Sequence, residues 1–121
     1  ADILLMLIGR QFLLPNRCWL VLGRDEKENN RLEELMEAGD IKLFIEERPG
    51  PVALLRRAAQ LYDSQQGRAA DLGAAAGLVT RYAKKSGGRS RGGTVVIIDD
   101  DSRIESYHEP LADGAFKGWI I

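Results

Sequence analysis

At 121 residues, 45% hydrophobic and 29% charged, the chain has the size and composition of one globular domain able to bury about two thirds of its unfolded surface, which excludes bulk disorder. Its formal charge of -1 conceals an asymmetry: residues 1–98 carry 15 Lys/Arg against 12 Asp/Glu, and residues 99–121 carry 2 against 6, so a phosphate-binding surface is expected away from residues 99–113. The single cysteine, Cys18, excludes an internal disulfide and a thiolate zinc site from this chain alone, and reads as a small buried hydrophobe in a reducing cytoplasm.

The chain opens Ala1-Asp2 without a Met and closes Gly118-Trp119-Ile120-Ile121 without a polar tail. Both ends read as cut, so a domain excised from a longer polypeptide is expected. The apolar run Ile3 to Ile8 falls far short of the about 20 residues of a membrane span and lacks a signal peptide's basic flank. Residues 9–14 and 17–22 read as two strands joined at Pro15-Asn16; Pro cannot take the positive φ of a two-residue primed turn, so a looser connection is expected. Asp25 with Glu28 forms a capping-box-like pair opening a helix over about residues 26–38. Leu32, Leu35 and Met36 mark its buried stripe, and Gly39 ends it.

Ile41 to Glu46 reads as a strand, Arg48-Pro49-Gly50-Pro51 as a turn and Val52 to Arg56 as the returning strand. Residues 58–70 are ambiguous. From Asp71 a helix is expected with Leu72, Ala75, Ala76, Val79, Tyr82 and Ala83 on one face and Arg81, Lys84 and Lys85 on the other. It runs into Ser86-Gly87-Gly88-Arg89-Ser90-Arg91-Gly92-Gly93. Thr94 to Ile98 and Arg103 to His108 follow as a hairpin across Asp99-Asp100-Asp101-Ser102, and Lys117 to Ile121 reads as a last strand. The order ββαββαβββ predicts an α+β fold: a mixed, antiparallel-rich sheet of hairpin-paired strands packed by two helices.

Five cations, Arg81, Lys84, Lys85, Arg89 and Arg91, lie within eleven residues that contain no acid. A positive surface beside a Gly-rich loop is what phosphate-backbone recognition needs; a solvated helix face with cations near its C-terminus is the plainer reading. Catalytic chemistry finds no minimum set. The one histidine, His108, has Glu105 and Glu109 near it but no positioned nucleophile, and neither a P-loop nor a dinucleotide-binding glycine pattern is present. Asp99 to Asp101 end a hydrophobic strand and could hold Mg²⁺, but Asp and Ser also favour a polar turn, and no further ligands are in view. No catalytic residue, metal or cofactor is therefore assigned.

Several segments read together carry a resemblance. Gly9-Arg10-Gln11-Phe12, Leu14-Pro15-Asn16, Val21-Leu22-Gly23-Arg24-Asp25 with Glu28-Asn29, Gly39-Asp40, Pro49 through Arg56, and Ala75 through Lys84 stand in the order and at roughly the spacing of the NFACT-R domain. Over about residues 9–98 the chain resembles that family, which implies an RNA-binding module of the kind found on the C-terminal side of ribosome-quality-control factors. It is most similar to the shorter variant fused behind PP-loop tRNA-thiolation-type enzymes. One departure is plain: better known members have Asp-Leu-Trp-Phe-His at the third strand, where this chain has Asp40-Ile41-Lys42-Leu43-Phe44, so interactions of that aromatic and histidine do not carry over.

By position the resemblance carries over Arg24 in the Gly23-Arg24 turn with Asn29, Arg56 after the Pro-Gly turn, and the helix end Tyr82-Ala83-Lys84. Asn29 reads as a turn or cap residue and Tyr82 as packing. Together with the basic cluster, the expected RNA-binding residues are Arg24, Arg56, Arg81, Lys84, Lys85, Arg89 and Arg91. The resulting expectation is a non-catalytic RNA-binding domain, with structured RNA such as tRNA as partner, presenting it to an attached modification enzyme on the missing portion of the polypeptide. The alternative is a protein-interaction module whose basic face meets an acidic partner. No RRM-type aromatic platform is evident, so single-strand base reading is not expected.

Overall fold

In a computed structural model describing residues 2–121, every strand pairing is antiparallel. A one-turn helix α1 (Asp2–Leu5) precedes the hairpin β1 (Arg10–Leu13) and β2 (Trp19–Leu22). Helix α2 (Glu26–Leu35), β3 (Ile41–Ile45), β4 (Ala53–Arg56), a one-turn α3 (Ala58–Leu61), the long α4 (Gln65–Tyr82), β5 (Gly93–Asp99) and β6 (Ser102–His108) follow. The six strands lie in the order β1-β2-β4-β3-β5-β6. The expected α+β class holds, with the two main helices on opposite faces of the sheet.

Period-2 alternation sorts the side chains between those faces. Leu20 and Leu22 of β2, Ala53 and Leu55 of β4, Ile41, Leu43 and Ile45 of β3, and Val95 and Ile97 of β5 form one core with Ala75, Ala76, Leu78 and Val79 of α4. Val21 and Leu54 point the other way and meet Leu5 of α1 and Leu32 of α2. Each fully buried Leu contributes roughly 1.5–3 kcal/mol relative to exposure, so both clusters hold the sheet. Cys18 is buried in the larger core, and burial pushes its thiol up to about 11.

Local departures from the expected elements have identifiable causes. The β1–β2 connection spans residues 14–18 and is closed by Leu14 N donating to Cys18 O at 2.9 Å; inside it Arg17 adopts φ 81° and its N–H donates to Leu14 O at 2.8 Å, the turn-plus-left-handed-residue arrangement of longer hairpins. The buried carboxylate of Asp71, on α4, accepts from Asn16 N at 2.9 Å and Tyr62 Oη at 2.6 Å, tying that loop to the helix. Helix α2 stops at Leu35, not Ala38, because Asp40 Oδ2 takes the Glu37 N–H at 2.9 Å.

The second main helix begins at Gln65, its Ser64 cap accepting from Gly67 N, and ends at Tyr82. Just past it, Lys84 N donates to Pro49 O at 2.8 Å. Lys84 and Lys85 therefore lie beyond the helix, in the loop, and not on its outer face. Residues 109–116 cross the back of α4: Leu111 N bonds Gly77 O at 3.2 Å, and a Cβ on Gly77 would stand 2.7 Å from Leu111 Cγ. The expected last strand is a 3-10 turn (Lys117–Trp119) followed by a single bridge of Ile120 to Phe12.

Candidate nucleic-acid interface

Helix α2's N-terminus, the Pro49-Gly50-Pro51 turn and the end of α4 converge on one cleft of about 540 Å³, lined among others by Arg10, Arg24, Asn29, Tyr82 and Lys84. Asn29 fixes two of these parts to each other. Its Nδ2 donates to Gly50 O at 3.2 Å and its Oδ1 accepts from Val52 N at 2.9 Å, so both ends of the amide are spent on structure. Gly23 is required beside it, since a Cβ there would collide with Asn29 Oδ1.

The cap of α2 is more elaborate than the sequence spacing implies. Asp25 accepts from Glu28 N at 2.8 Å, as an N-cap should. The Glu28 carboxylate takes Arg24 N at 2.8 Å, Arg24 Nε at 2.9 Å, Arg24 Nη2 at 2.7 Å and Gly9 N at 3.0 Å. The Arg24 fork foremost, and then the two backbone amides, hold the Glu28 carboxyl down to about 2 against some burial. Arg24 thus reaches the cleft already paired, and its charge is largely offset.

The remaining predicted site residues separate into three groups. Lys84, Lys85, Arg89 and Arg91 are exposed and have no carboxylate within salt-bridge distance among the described residues. Their loop is shaped by the turn Ser86-Gly87-Gly88-Arg89, with Gly87 and Gly88 at φ 61° and 78°. It is fastened by Ser90 Oγ to Arg81 O at 3.0 Å and by Arg48, which donates to Arg91 O and Gly92 O at 2.5 and 3.1 Å.

Arg81 forms a second case. It pairs with Asp113 and reaches Leu111 O at 3.4 Å, so the acidic tail expected to stay clear of the basic surface touches one edge of it. Arg56 is the third and lies apart from the others. Its side chain is 3% exposed and bonded to Asp2, Glu37 and Asp40 at 2.8, 2.6 and 2.9 Å. The structure contradicts Arg56 as an open phosphate contact: its donors are consumed by three carboxylates, and it ties α1 and the α2–β3 turn to β4.

Sequence reasoning missed Arg10 and Arg48. Arg10 starts β1 and its guanidinium carbon lies 4.6 Å from the Tyr82 ring centroid, a cation–π distance. Tyr82 also meets Phe116 edge-on at 6.1 Å and 61°. Strand alternation puts Arg10 on the same face as the buried Phe12, at the exposed end of β1, but nothing local brings it to a ring 72 positions later.

The carboxylate candidates resolve otherwise. Asp99 Oδ2 accepts from Arg68 Nη2 at 2.6 Å, and Asp100 sits at φ 52° in a two-residue turn closed by the Asp99–Ser102 pair. Among the described residues no group of three or more His, Cys, Asp or Glu is placed to hold a metal ion. His108 Nε2 lies 2.8 Å from Ser106 Oγ, and burial lowers its pKa. Glu109 accepts instead from Tyr107 Oη. Among the described residues no helix is long and apolar enough to cross a membrane.

Comparison with known proteins bears on this surface. Residues 9–120 match the family described as NFACT protein RNA binding domain. No curated protein matches the sequence. Among solved structures, the C-terminal part of the fibronectin/fibrinogen-binding protein from Streptococcus suis has a TM-score of 0.73 at 14% identity. The likeness covers 94% of this chain and 49% of that one, so the chain spans about half the length of that structure. At that identity it establishes the shared fold.

Proposed function

This chain belongs to the NFACT protein RNA binding domain family, and from that membership we propose that it is a non-catalytic module presenting tRNA to an RNA-modification enzyme of thiolation type, attached in the same cytoplasmic polypeptide. The observation that carries the reading is the arc of Lys84, Lys85, Arg89 and Arg91, exposed and without carboxylate partners among the described residues, beside a cleft that adds Arg10 and Arg24. Cations on a turn held at two points meet phosphates with less ordering cost than cations on a loose tail. Shape then decides which RNA fits, as is usual for folded RNA. Arg81 holds the tail at one edge of this surface, and Arg56 belongs to the scaffold at the other end of α2.

The reading is tested by fluorescence anisotropy with tRNA on the full-length protein, the 121-residue domain, and the remainder lacking it. The domain alone should bind in the micromolar range of largely electrostatic association and turn over neither ATP nor RNA. Joining it to the remainder should raise affinity by about 10²–10⁴ through linkage. If the remainder binds tRNA as tightly as the whole, the domain does not present RNA. A basic face for an acidic protein partner then takes its place.

A further inference from the structure

We propose that the cleft between α2, the Pro49-Gly50-Pro51 turn and the end of α4 receives one unpaired nucleotide of the bound RNA, its base stacked on the Arg10 guanidinium. The proposal rests on the RNA-binding reading and narrows it from phosphate contact to a base-accepting subsite.

Three observations converge on a planar, partly apolar guest. The first is the cation–π pair already present: the Arg10 guanidinium lies over the Tyr82 ring at 4.6 Å. Arg10 is exposed, lines the cleft, and has no carboxylate partner among the described residues. A guanidinium has two faces, and the one turned from Tyr82 can take a base, as Arg planes do in single-strand recognition.

The second is the chemistry of the walls. Pro49 and Pro51 have no N–H to offer, Pro49 O is taken by Lys84 N, and Gly50 O is taken by Asn29 Nδ2. Most of what remains of the lining is apolar surface, suited to a base or ribose rather than to a hydrated phosphate. The cleft volume of about 540 Å³ falls within the roughly 300–1,000 Å³ of small-ligand sites.

The third is the charge distribution. Lys84 supplies an unpaired cation at the cleft for the nucleotide's phosphate, whereas Asp25 and Glu26 also line it. Asp25 is committed to capping Glu28 N, which leaves Glu26 as an acceptor for base N–H groups. A groove meant only to hold phosphates would not carry two carboxylates among its cations. The stack differs from an RRM platform in kind, being built from an arginine backed by a tyrosine, and that is why no aromatic pattern in the sequence announces it.

The test compares Arg10→Ala and Arg10→Lys in the 121-residue chain, read by anisotropy against an RNA hairpin with an unpaired loop and a loopless duplex RNA of equal charge. Arg10→Ala should weaken hairpin binding about tenfold, the order of one base stack removed, with duplex binding changed by less than about twofold, a single phosphate interaction at most. Arg10→Lys keeps the charge and loses the plane, so it should leave the hairpin defect in place. Rescue by Lys, or equal loss for hairpin and duplex, overturns the stacked nucleotide while leaving RNA binding intact. Failure of the wild-type chain to bind either RNA overturns the RNA-binding reading and this inference with it. Arg10 is exposed at the first residue of β1, so both variants should stay folded, with a melting temperature lowered by no more than a few degrees for the lost Tyr82 contact.

Discussion

Arg56 Nη1 donates to Asp40 Oδ2 at 2.9 Å with both side chains sealed from solvent, 3% and 0% exposed. Asp40 also accepts from Arg57 N and Glu37 N, so one buried carboxylate sets the end of α2, the entry to β3 and the exit of β4. Removing one partner of a buried pair leaves the other charge stranded, which costs about 3–5 kcal/mol. Arg56→Ala is therefore expected to lower the urea midpoint strongly, while its folded fraction keeps RNA affinity within about twofold, since the side chain reaches no phosphate. Denaturation and binding measured on the same preparation separate the two effects.

Glu28 gives the fold a pH dependence of definite sign. Its folded carboxyl is held at about 2, below the ordinary glutamate value, chiefly by the Arg24 side chain. A depressed carboxyl contributes stability above its unfolded pKa and loses it as pH falls toward the folded one. Glu28→Gln should destabilise by about 2 kcal/mol at neutral pH, the scale of hydrogen bonds to a charged group. The gap from wild type should stay constant above about pH 5 and close progressively toward pH 2. Urea titrations at a series of pH values measure it, and a gap that persists at pH 2 would refute the assignment.

Features written in local spacing were legible before the structure, and those made by distant partners were not. The Asp25 cap, the β5–β6 hairpin and the strands β2, β3 and β4 follow from neighbours a few residues apart, and the structure has them. The spacing of Asp25 and Glu28 announced a capping pair, yet the Glu28 carboxylate also answers Gly9, 19 positions away. A helical wheel has no stop signal in Ala83-Lys84, because the stop is Pro49 O taking the Lys84 amide. Leu111 covering Gly77 left one trace in the sequence, a mid-helix glycine, without naming its partner. Arg56 entered the site by its place in a motif, and only the convergence of Asp2, Glu37 and Asp40 reveals its burial.

The hairpin carboxylates should behave as turn residues. Asp100 at φ 52° occupies the left-handed region that Asn tolerates as well as Asp. Asp101 completes the turn. Asp100→Asn with Asp101→Asn is expected to change stability by less than about 0.5 kcal/mol and to leave RNA affinity equal or slightly higher, because repulsive charge is removed. Adding Asp99→Asn should cost more, since the 2.6 Å link to Arg68 is charge-assisted. Calorimetric titration with Mg²⁺ provides the second readout: tight binding by wild type, abolished in the double variant, would make the turn a metal site.

The cations of the 84–91 loop and Arg81 should fail in different ways when reversed. Lys84→Glu, Lys85→Glu, Arg89→Glu and Arg91→Glu touch side chains with no carboxylate partner among the described residues, so the folded domain should persist. Each is expected to weaken binding to all RNA sequences alike and to flatten the slope of log affinity against log salt by roughly 0.7–0.9 for every phosphate no longer neutralised. Arg81→Glu instead sets a carboxylate against Asp113 and removes the donor to Leu111 O. Its first effect should be to release residues 109–116 from α4, seen as faster amide exchange at Leu111 and a lower melting temperature, with the salt slope little changed. Salt slopes and exchange rates across the five variants decide it: an unchanged slope in the four folded loop variants would remove the arc from the interface, and a slope change in Arg81→Glu without tail release would return Arg81 to it.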